Sequence, residues 1–409
     1  MNKIFRFSGL AVFAAAVLGL SAVQGFAQDA CTDTDAQTAL YTKFTELYPK
    51  TDLESRKGAV AAGKEFLEKY GACETVKEQV DYFKTAVPAL EKSVAEIVKG
   101  QERAKLFKRY DAAVETDNAD EVFAAGKEIL ALQPENFNIM IPMGMVGLIK
   151  SYAKDNKYAD ESIKYAQMAL AELKAGKPCN RKDKAGKDTQ DCGVLKWQLP
   201  RADITSELTY AIGYLKFYAK NDKKGALPSY YELSQGTSKY KDEPRVYATI
   251  GDYYVTEKNK IGAEIQALIE KQKAAPTDEE KEKFEAEIKG KVGLFNGYLE
   301  RALDSFGRAH KVASTTSPAD KTYKDALLKT VQDLYKQRFE KETGMTEFIA
   351  ATIAKPFPNP TSEVTPVIDP EPVTTTSTTG TSPAAASGTA AATKPAANGK
   401  TATATKPKK

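Results

Sequence analysis

With 409 residues, 42% of them hydrophobic, the chain is long enough to bury a sizeable core, and its length suits two domains or one elongated one. The net charge of +4 comes from the two ends: Lys3 and Arg6 at the start, and five lysines against three acids beyond residue 355. The body between them is neutral, which argues against a nucleic-acid-binding surface, and one histidine, His310, excludes a multi-histidine metal site.

Residues 1–6 are short and basic, and residues 7–22 are apolar. Gly25-Phe26-Ala27 then places small residues where a signal peptidase reads, so cleavage is expected after Ala27. The apolar run is shorter than the roughly 20 residues of a membrane span. Gln28-Asp29-Ala30 before Cys31 lacks a lipobox pattern. A Sec-type bacterial signal implies a periplasmic or secreted protein, and no later stretch is long and apolar enough to span a bilayer.

Cys31, Cys73, Cys179 and Cys192 fit an oxidising compartment. Three connectivities are open in principle. Cys31 precedes the first expected helix and Cys73 follows the second, so an antiparallel hairpin brings them side by side. Cys179 and Cys192 bracket a polar loop that closes on itself, a constraint of about 3 kcal/mol in the chain-entropy picture. Neither pair has the CxxC spacing of redox or zinc chemistry.

Residues 33–355 read as helix, with apolar residues recurring at three and four and no period-two stretches rich in Val, Ile and Thr. Helices are expected at 34–48, 52–70, 75–87, 89–116, 119–132, 136–154, 158–175, 201–220, 223–235, 243–274, 278–313, 318–342 and 345–354. Short linkers make neighbours antiparallel, with the cysteine loop at 176–200 as the exception.

Ala61-Ala62-Gly63-Lys64-Glu65-Phe66-Leu67 is echoed by Ala124-Ala125-Gly126-Lys127-Glu128-Ile129-Leu130. Tyr247, Ile250-Gly251 and Tyr254 have the spacing of a repeat A helix, and Ala302, Phe306 and Ala309 that of a B helix. Ser162, Ala166 and Ala169-Leu170 form a weaker B helix. On these residues the region 34–313 resembles the tetratricopeptide repeat (TPR) family, with variable repeat lengths and most of the family's Pro and Tyr positions missing. The resemblance implies an α-solenoid of stacked antiparallel hairpins whose A helices line a concave face, which points Arg245, Ala248 and Asp252 into a groove.

Residues 243–313 form an extended hairpin. One seam follows Val246, Ile250, Tyr254, Ile261, Ile265 and Leu268. The other follows Phe284, Ile288, Val292, Phe295, Leu299, Ala302, Phe306, Ala309 and Ala313, in steps of three and four. Thr277 and Glu280 supply a capping box after Pro276. Counted outward from that turn, Gly262 faces Gly290 and Gly251 faces Ala302. The first helix would run about 48 Å at 1.5 Å per residue, so the charged tip at 262–290 is expected to project as an arm. From residue 356 the chain becomes Pro-, Thr-, Ala- and Lys-rich, and 356–409 is expected to be disordered. Its end, Lys406-Pro407-Lys408-Lys409, offers a weak electrostatic contact with an anionic envelope surface.

Catalytic signals are poor. Gly58 to Lys64 approximates a phosphate loop, but Glu65 replaces the required Ser or Thr and the stretch is helical. Met140, Met143 and Met145 fit a buried apolar helix better than a soft-metal site. His310 has no nucleophile motif beside it, and Trp197 is expected to pack the cysteine loop down. Nine of the twenty tyrosines fall within 210–254, and Tyr210, Tyr214 and Tyr218 share one helix face as a candidate groove floor for a peptide or glycan. The expected protein is all-α, needs no cofactor or metal, and is a non-catalytic scaffold binding a protein or peptide partner through Tyr210, Tyr214, Tyr218, Arg245 and Asp252. The rivals are an envelope enzyme acting on glycan, which would need a recessed carboxylate pair, and a self-associating structural protein that uses the arm.

Overall fold

In the computed structural model, residues 31–182 and 186–369 are described. The expected signal peptide with its cut after Ala27, and the tail from residue 370 with its basic end, lie outside them. The described residues form twelve α-helices: α1 (Thr34–Leu47), α2 (Leu53–Tyr70), α3 (Lys77–Glu115), α4 (Ala119–Leu132), α5 (Phe137–Tyr152), α6 (Ala159–Lys174), α7 (Arg201–Tyr214), α8 (Lys223–Gln235), α9 (Pro244–Ala274), α10 (Asp278–Val312), α11 (Pro318–Phe339) and α12 (Met345–Ile353). Consecutive helices from α1 to α11 pack against one another, α9 with α10 most extensively, and α12 packs on α10. The all-α architecture with one extended hairpin is as the periodicity predicts.

Helix starts follow side-chain chemistry. Asp52, Asn118, Asp222 and Thr277 each accept a bond from a backbone N–H of the first turn, and Ser317 with Asp320 forms a reciprocal capping box. One expected boundary is absent. Helices anticipated at 75–87 and 89–116 are a single helix, α3, running through Pro88. Proline removes one internal bond and usually breaks a helix. Here Pro88 is exposed, while Val87 and Leu90 are buried on either side of it, so packing holds both halves in line.

The helices enclose two cores. Phe44, Phe66, Phe83 and Val87 fill a smaller one from α1, α2 and the first part of α3, closed by Cys31–Cys73 (Cα–Cα 5.4 Å). The larger core begins at Tyr110 and takes in α4 to α11. Between Leu90 and Tyr110 no residue of α3 is fully buried, over about 28 Å at 1.5 Å per residue, although Leu106 and Phe107 pack against the larger core. The echoed segments fall on α2 and α4, each the second helix of a hairpin. Gly63 lies flush against Val87 and Phe44, and Gly126 against Met143.

The deepest packing is between α5 and α6. Gly144 meets Ala166 and Gly147 meets Ser162 with no room for a side chain. The Ser162 hydroxyl donates to the Met143 carbonyl (2.8 Å) and accepts from Gly147 N–H (2.9 Å). Met140, Met143 and Met145 are core residues of α5. The cysteine loop is more ordered than a plain loop. Two short antiparallel ribbons, β1 (Arg181–Lys182) with β2 (Asp188–Thr189) and β3 (Asp191–Cys192) with β4 (Leu199–Pro200), flank Cys179–Cys192. Buried Asn138 of α5 ties it down, donating to the Cys179 carbonyl (2.8 Å) and accepting from Gly193 N–H (2.7 Å). Trp197, half-buried, packs against the main core as expected.

The α9–α10 register differs from the one counted outward from the turn. Gly251 faces Phe306, Gly262 faces Phe295, and no side chain approaches Gly290. Matching small residue to small would leave the Phe rings without space; pairing each glycine with a ring fills the seam. Val292, expected in the seam, is exposed. Between residues 262 and 290 only Ile265 and Leu268 are buried, and neither belongs to the main core.

The expected disorder from residue 356 is also corrected in its first part. The compact unit runs to Val367. Phe357 is buried between Tyr247 and Tyr231, with the Arg308 guanidinium 5.0 Å from its ring centre. Arg308 bonds both Asp304 (2.7 Å) and the Lys355 carbonyl (2.6 Å). Val364 is buried, Val367 N–H donates to the Gly293 carbonyl (2.8 Å), and Gly297 makes room for the Thr365 backbone. Prolines pre-set an extended strap with little entropy left to lose, and two apolar side chains suffice to seat it.

Two measurements test this arrangement. Replacing Cys31 and Cys73 by Ser should destabilise the small core by about 4 kcal/mol and split calorimetric melting into an early transition and an unchanged later one. Phe357→Ala should lower the stability of the main body by about 3 kcal/mol in urea unfolding.

Candidate functional site

Helix α7 is buried on most of its circumference, through Ile204, Leu208, Ala211 and Ile212. At Leu215–Ala219 it widens into a π-helical turn. Such turns insert an extra residue and are common at functional sites. The turn buries Leu215 and Phe217 and leaves Tyr218 49% exposed.

The tyrosine ladder expected on this helix exists, with a difference in depth along it. Tyr210 is a core residue, stacked on Tyr240 (4.7 Å) and edge-on to Tyr230. Tyr240 in turn donates to Glu207 (2.8 Å). Tyr214 is half-buried and touches Tyr210 (6.1 Å), Tyr218 (4.7 Å) and Tyr152 (4.9 Å). Tyr152, at the end of α5, is 54% exposed. Only Tyr214 and Tyr218 therefore serve the expected floor directly, and Tyr210 supports them from beneath.

The opposite wall is α9. Arg245, Thr249 and Asp252 recur at four and three and so share one face. The Tyr218 hydroxyl and Thr249 Oγ1 are 3.1 Å apart, which joins the two walls. Arg245 pairs with Glu243 (3.4 Å) and stands 5.5 Å over the Tyr323 ring of α11. The five expected residues are thus brought together. Tyr152 and Tyr323 lie beside these residues and were not anticipated, because they sit on helices far away in sequence and carry no periodic signal.

Neighbouring protein shifts the ionisation of these groups. Tyr152 and Tyr218 are about half exposed and Asp252 is exposed, yet burial dominates the ionisation of all three. It pushes the Tyr152 hydroxyl up to about 12, raises that of Tyr218, and lifts the Asp252 carboxyl to about 6. Tyr323 is likewise raised to about 12 by burial, with Arg245 opposing. For Asp252 the charge of Lys223 opposes the shift. Lys223 itself bonds Thr256 (2.9 Å) and lies over Phe217. Among the described residues no hydrogen bond or ion pair reaches the Asp252 carboxylate.

The remaining candidates fall elsewhere. The phosphate-loop-like segment lies inside α2. His310 is on α10, where burial and then Lys324 lower its pKa. Among the described residues no three His, Cys, Asp or Glu side chains converge as a metal site. No helix of the described residues is long and apolar enough to cross a membrane. A second exposed aromatic cluster lies on the small bundle, Tyr48 and Tyr82 against Phe44 and Tyr41 against Phe83.

Compared with models of known protein families, with curated proteins and with solved structures, the chain matches none.

The raised Asp252 pKa has a stability consequence with a definite sign. The folded chain holds this proton more tightly than the unfolded one, whose carboxyl titrates near 3.9. Its ionisation therefore weakens the fold as pH rises from about 4 through about 6, and no further above that. The stability of Asp252→Asn relative to the parent should climb across that window and then level off in urea titrations. Carboxyl-labelled NMR should place the parent midpoint near 6.

Proposed function

We propose that this chain is a non-catalytic scaffold of the bacterial envelope that holds a protein or peptide partner in the groove between α7, α9 and α11. The supporting observation is the run of partly exposed tyrosine rings in mutual contact, Tyr152, Tyr214 and Tyr218, joined to α9 through Thr249, with Arg245 of α9 lying over Tyr323 of α11. Rigid aromatic side chains with polar tips give large contact area at low entropy cost and are the usual anchors of protein recognition. Stacked helical hairpins present such concave surfaces to extended partners.

A TPR-like repeat order is part of this proposal. Its support is the burial of Ile250, Ala302 and Ala309 with Gly251 against Phe306, and of Ser162 and Ala166 against two glycines of α5. An envelope location rests on two disulfides, which persist in oxidising compartments, and on the signal-like N-terminus. The chain is proposed to act in the periplasm or after secretion.

The test is photo-crosslinking in living cells, with benzoylphenylalanine placed singly at Tyr152, at Tyr218 and at exposed Lys329 of α11. The expected result is one discrete adduct of the same mass from both groove positions and none from Lys329, identified by mass spectrometry. Tyr214→Ala should weaken binding of the identified partner by about 2 kcal/mol. Adducts equally abundant at all three positions, or none at either tyrosine, would overturn the proposal.

A further inference from the structure

The small bundle carries an open cleft of about 520 Å³. Thr34, Gln37, Thr38 and Tyr41 line it from α1, Thr75 from the turn before α3, and Gln79 from α3 itself. Phe66 of α2, fully buried, also faces it. None of the described residues lining this cleft is charged. That is a departure in a chain with 28% charged residues, whose clefts beside the middle of α3 and beside the start of α8 are lined by lysines and glutamates.

The uncharged surface continues beyond the cleft. Thr34, Thr38, Tyr41, Thr45 and Tyr48 recur at four, three, four and three, so they share one face of α1 over about 21 Å. Tyr41 and Tyr48 are 39% exposed and Tyr82 of α3 is 43% exposed, so each offers part of its ring to solvent. Two buried rings hold them in place. Tyr48 stacks on Phe44 (5.1 Å), Tyr82 meets Phe44 edge-on (6.1 Å), and Tyr41 meets Phe83 (5.9 Å). Single exposed tyrosines are ordinary, but three seated on one buried pair form a patch. The cleft itself is braced. Cys31–Cys73 closes its end of the bundle, and the buried Gln37 amide donates to the Cys31 carbonyl (3.2 Å).

These features select the chemistry of an occupant. With neither a cation nor a carboxylate lining the cleft, a charged ligand would lose hydration and gain no partner. A purely apolar ligand would cover hydroxyls and amides and leave them unsatisfied. Among the described residues nothing bonds the side chains of Thr34, Thr38 and Gln79, so they are open to donate and accept. A neutral sugar suits the whole surface. Its hydroxyls pair with Thr and Gln, and its weakly positive C–H groups meet the negative ring faces of tyrosine. A peptide would instead anchor through a side chain plugged into a desolvated pocket, whereas these tyrosines lie open.

We infer that this face of the small bundle, from the cleft at Gln37 to Tyr48 and Tyr82, is a binding site for an uncharged oligosaccharide. It shares no residue with the groove of α7, α9 and α11, so either reading can fail without the other.

The experiment titrates the full mature chain, with ring-labelled tyrosines, by NMR to millimolar ligand. The probes are chitohexaose and cellohexaose, the cationic deacetylated form of chitohexaose, anionic hexagalacturonate, and a capped neutral hexapeptide of Ala, Ser and Asn. At least one neutral sugar should shift Tyr41, Tyr48 and Tyr82 and leave Tyr214 and Tyr218 unmoved. It should bind about tenfold more tightly than either charged sugar or the peptide. Tyr41→Ala and Tyr82→Ala, both at exposed positions and each checked for unchanged melting, should weaken that binding about tenfold. Tyr214→Ala should leave it as in the parent. The site is refuted by a charged sugar binding as tightly as the neutral ones, by shifts from the peptide alone, or by neutral-sugar binding unchanged in both alanine variants. Small-bundle tyrosines unmoved by every probe would also overturn it.

Discussion

The architecture depends on how closely paired helices approach. Between α5 and α6 the distance is set by Gly144 against Ala166 and Gly147 against Ser162, where any larger side chain would collide with its neighbour. Ser162 then turns proximity into a bond network, donating to one backbone carbonyl of α5 and accepting from one N–H. Because this pair is tight, α5 can be apolar on nearly every face, and α7 can pack on both α5 and α6. The groove inherits its position from that stack. Tyr152 hangs from the end of α5, and the ladder Tyr210–Tyr214–Tyr218 climbs the helix packed beside it.

A second consequence of hairpin packing is separation. The small bundle has its own core and its own disulfide, and the link to the larger body is a helix with no fully buried residue between Leu90 and Tyr110. The tip of the α9–α10 hairpin repeats the theme with two buried aliphatic side chains and an outer surface of charge. Both segments hold their shape through local helix geometry and a narrow seam, while the groove lies where several helices converge. Conformational economy follows the same division: the strap at 356–367 adds no secondary structure, yet Phe357, Val364 and a few backbone bonds to α10 seat it.

Much of this was legible along the chain. Three- and four-residue apolar spacing placed the helices to within a few residues, cap residues placed their starts, and hairpin geometry paired Cys31 with Cys73 and Cys179 with Cys192. These properties are local or nearly so, set by backbone hydrogen bonding and by which face must avoid water. Tyr214 and Tyr218 were readable for the same reason, as residues repeating on one helix face, whereas Arg245 and Asp252 were implied only by the resemblance to the repeat family.

What the spacing could not reveal depends on partners distant in sequence. Whether Pro88 ends a helix was settled by burial of Val87 and Leu90, and the hairpin register by rings filling the space that glycines leave. The π turn at Leu215–Ala219 and the demotion of Tyr210 to the core both follow from neighbours on other helices. Tyr152 and Tyr323 joined the groove only when folding brought α5 and α11 beside α7 and α9. A helix's own sequence specifies which side faces inward; which foreign side chain it meets there, and how much water remains between them, is set by the packing of the whole body.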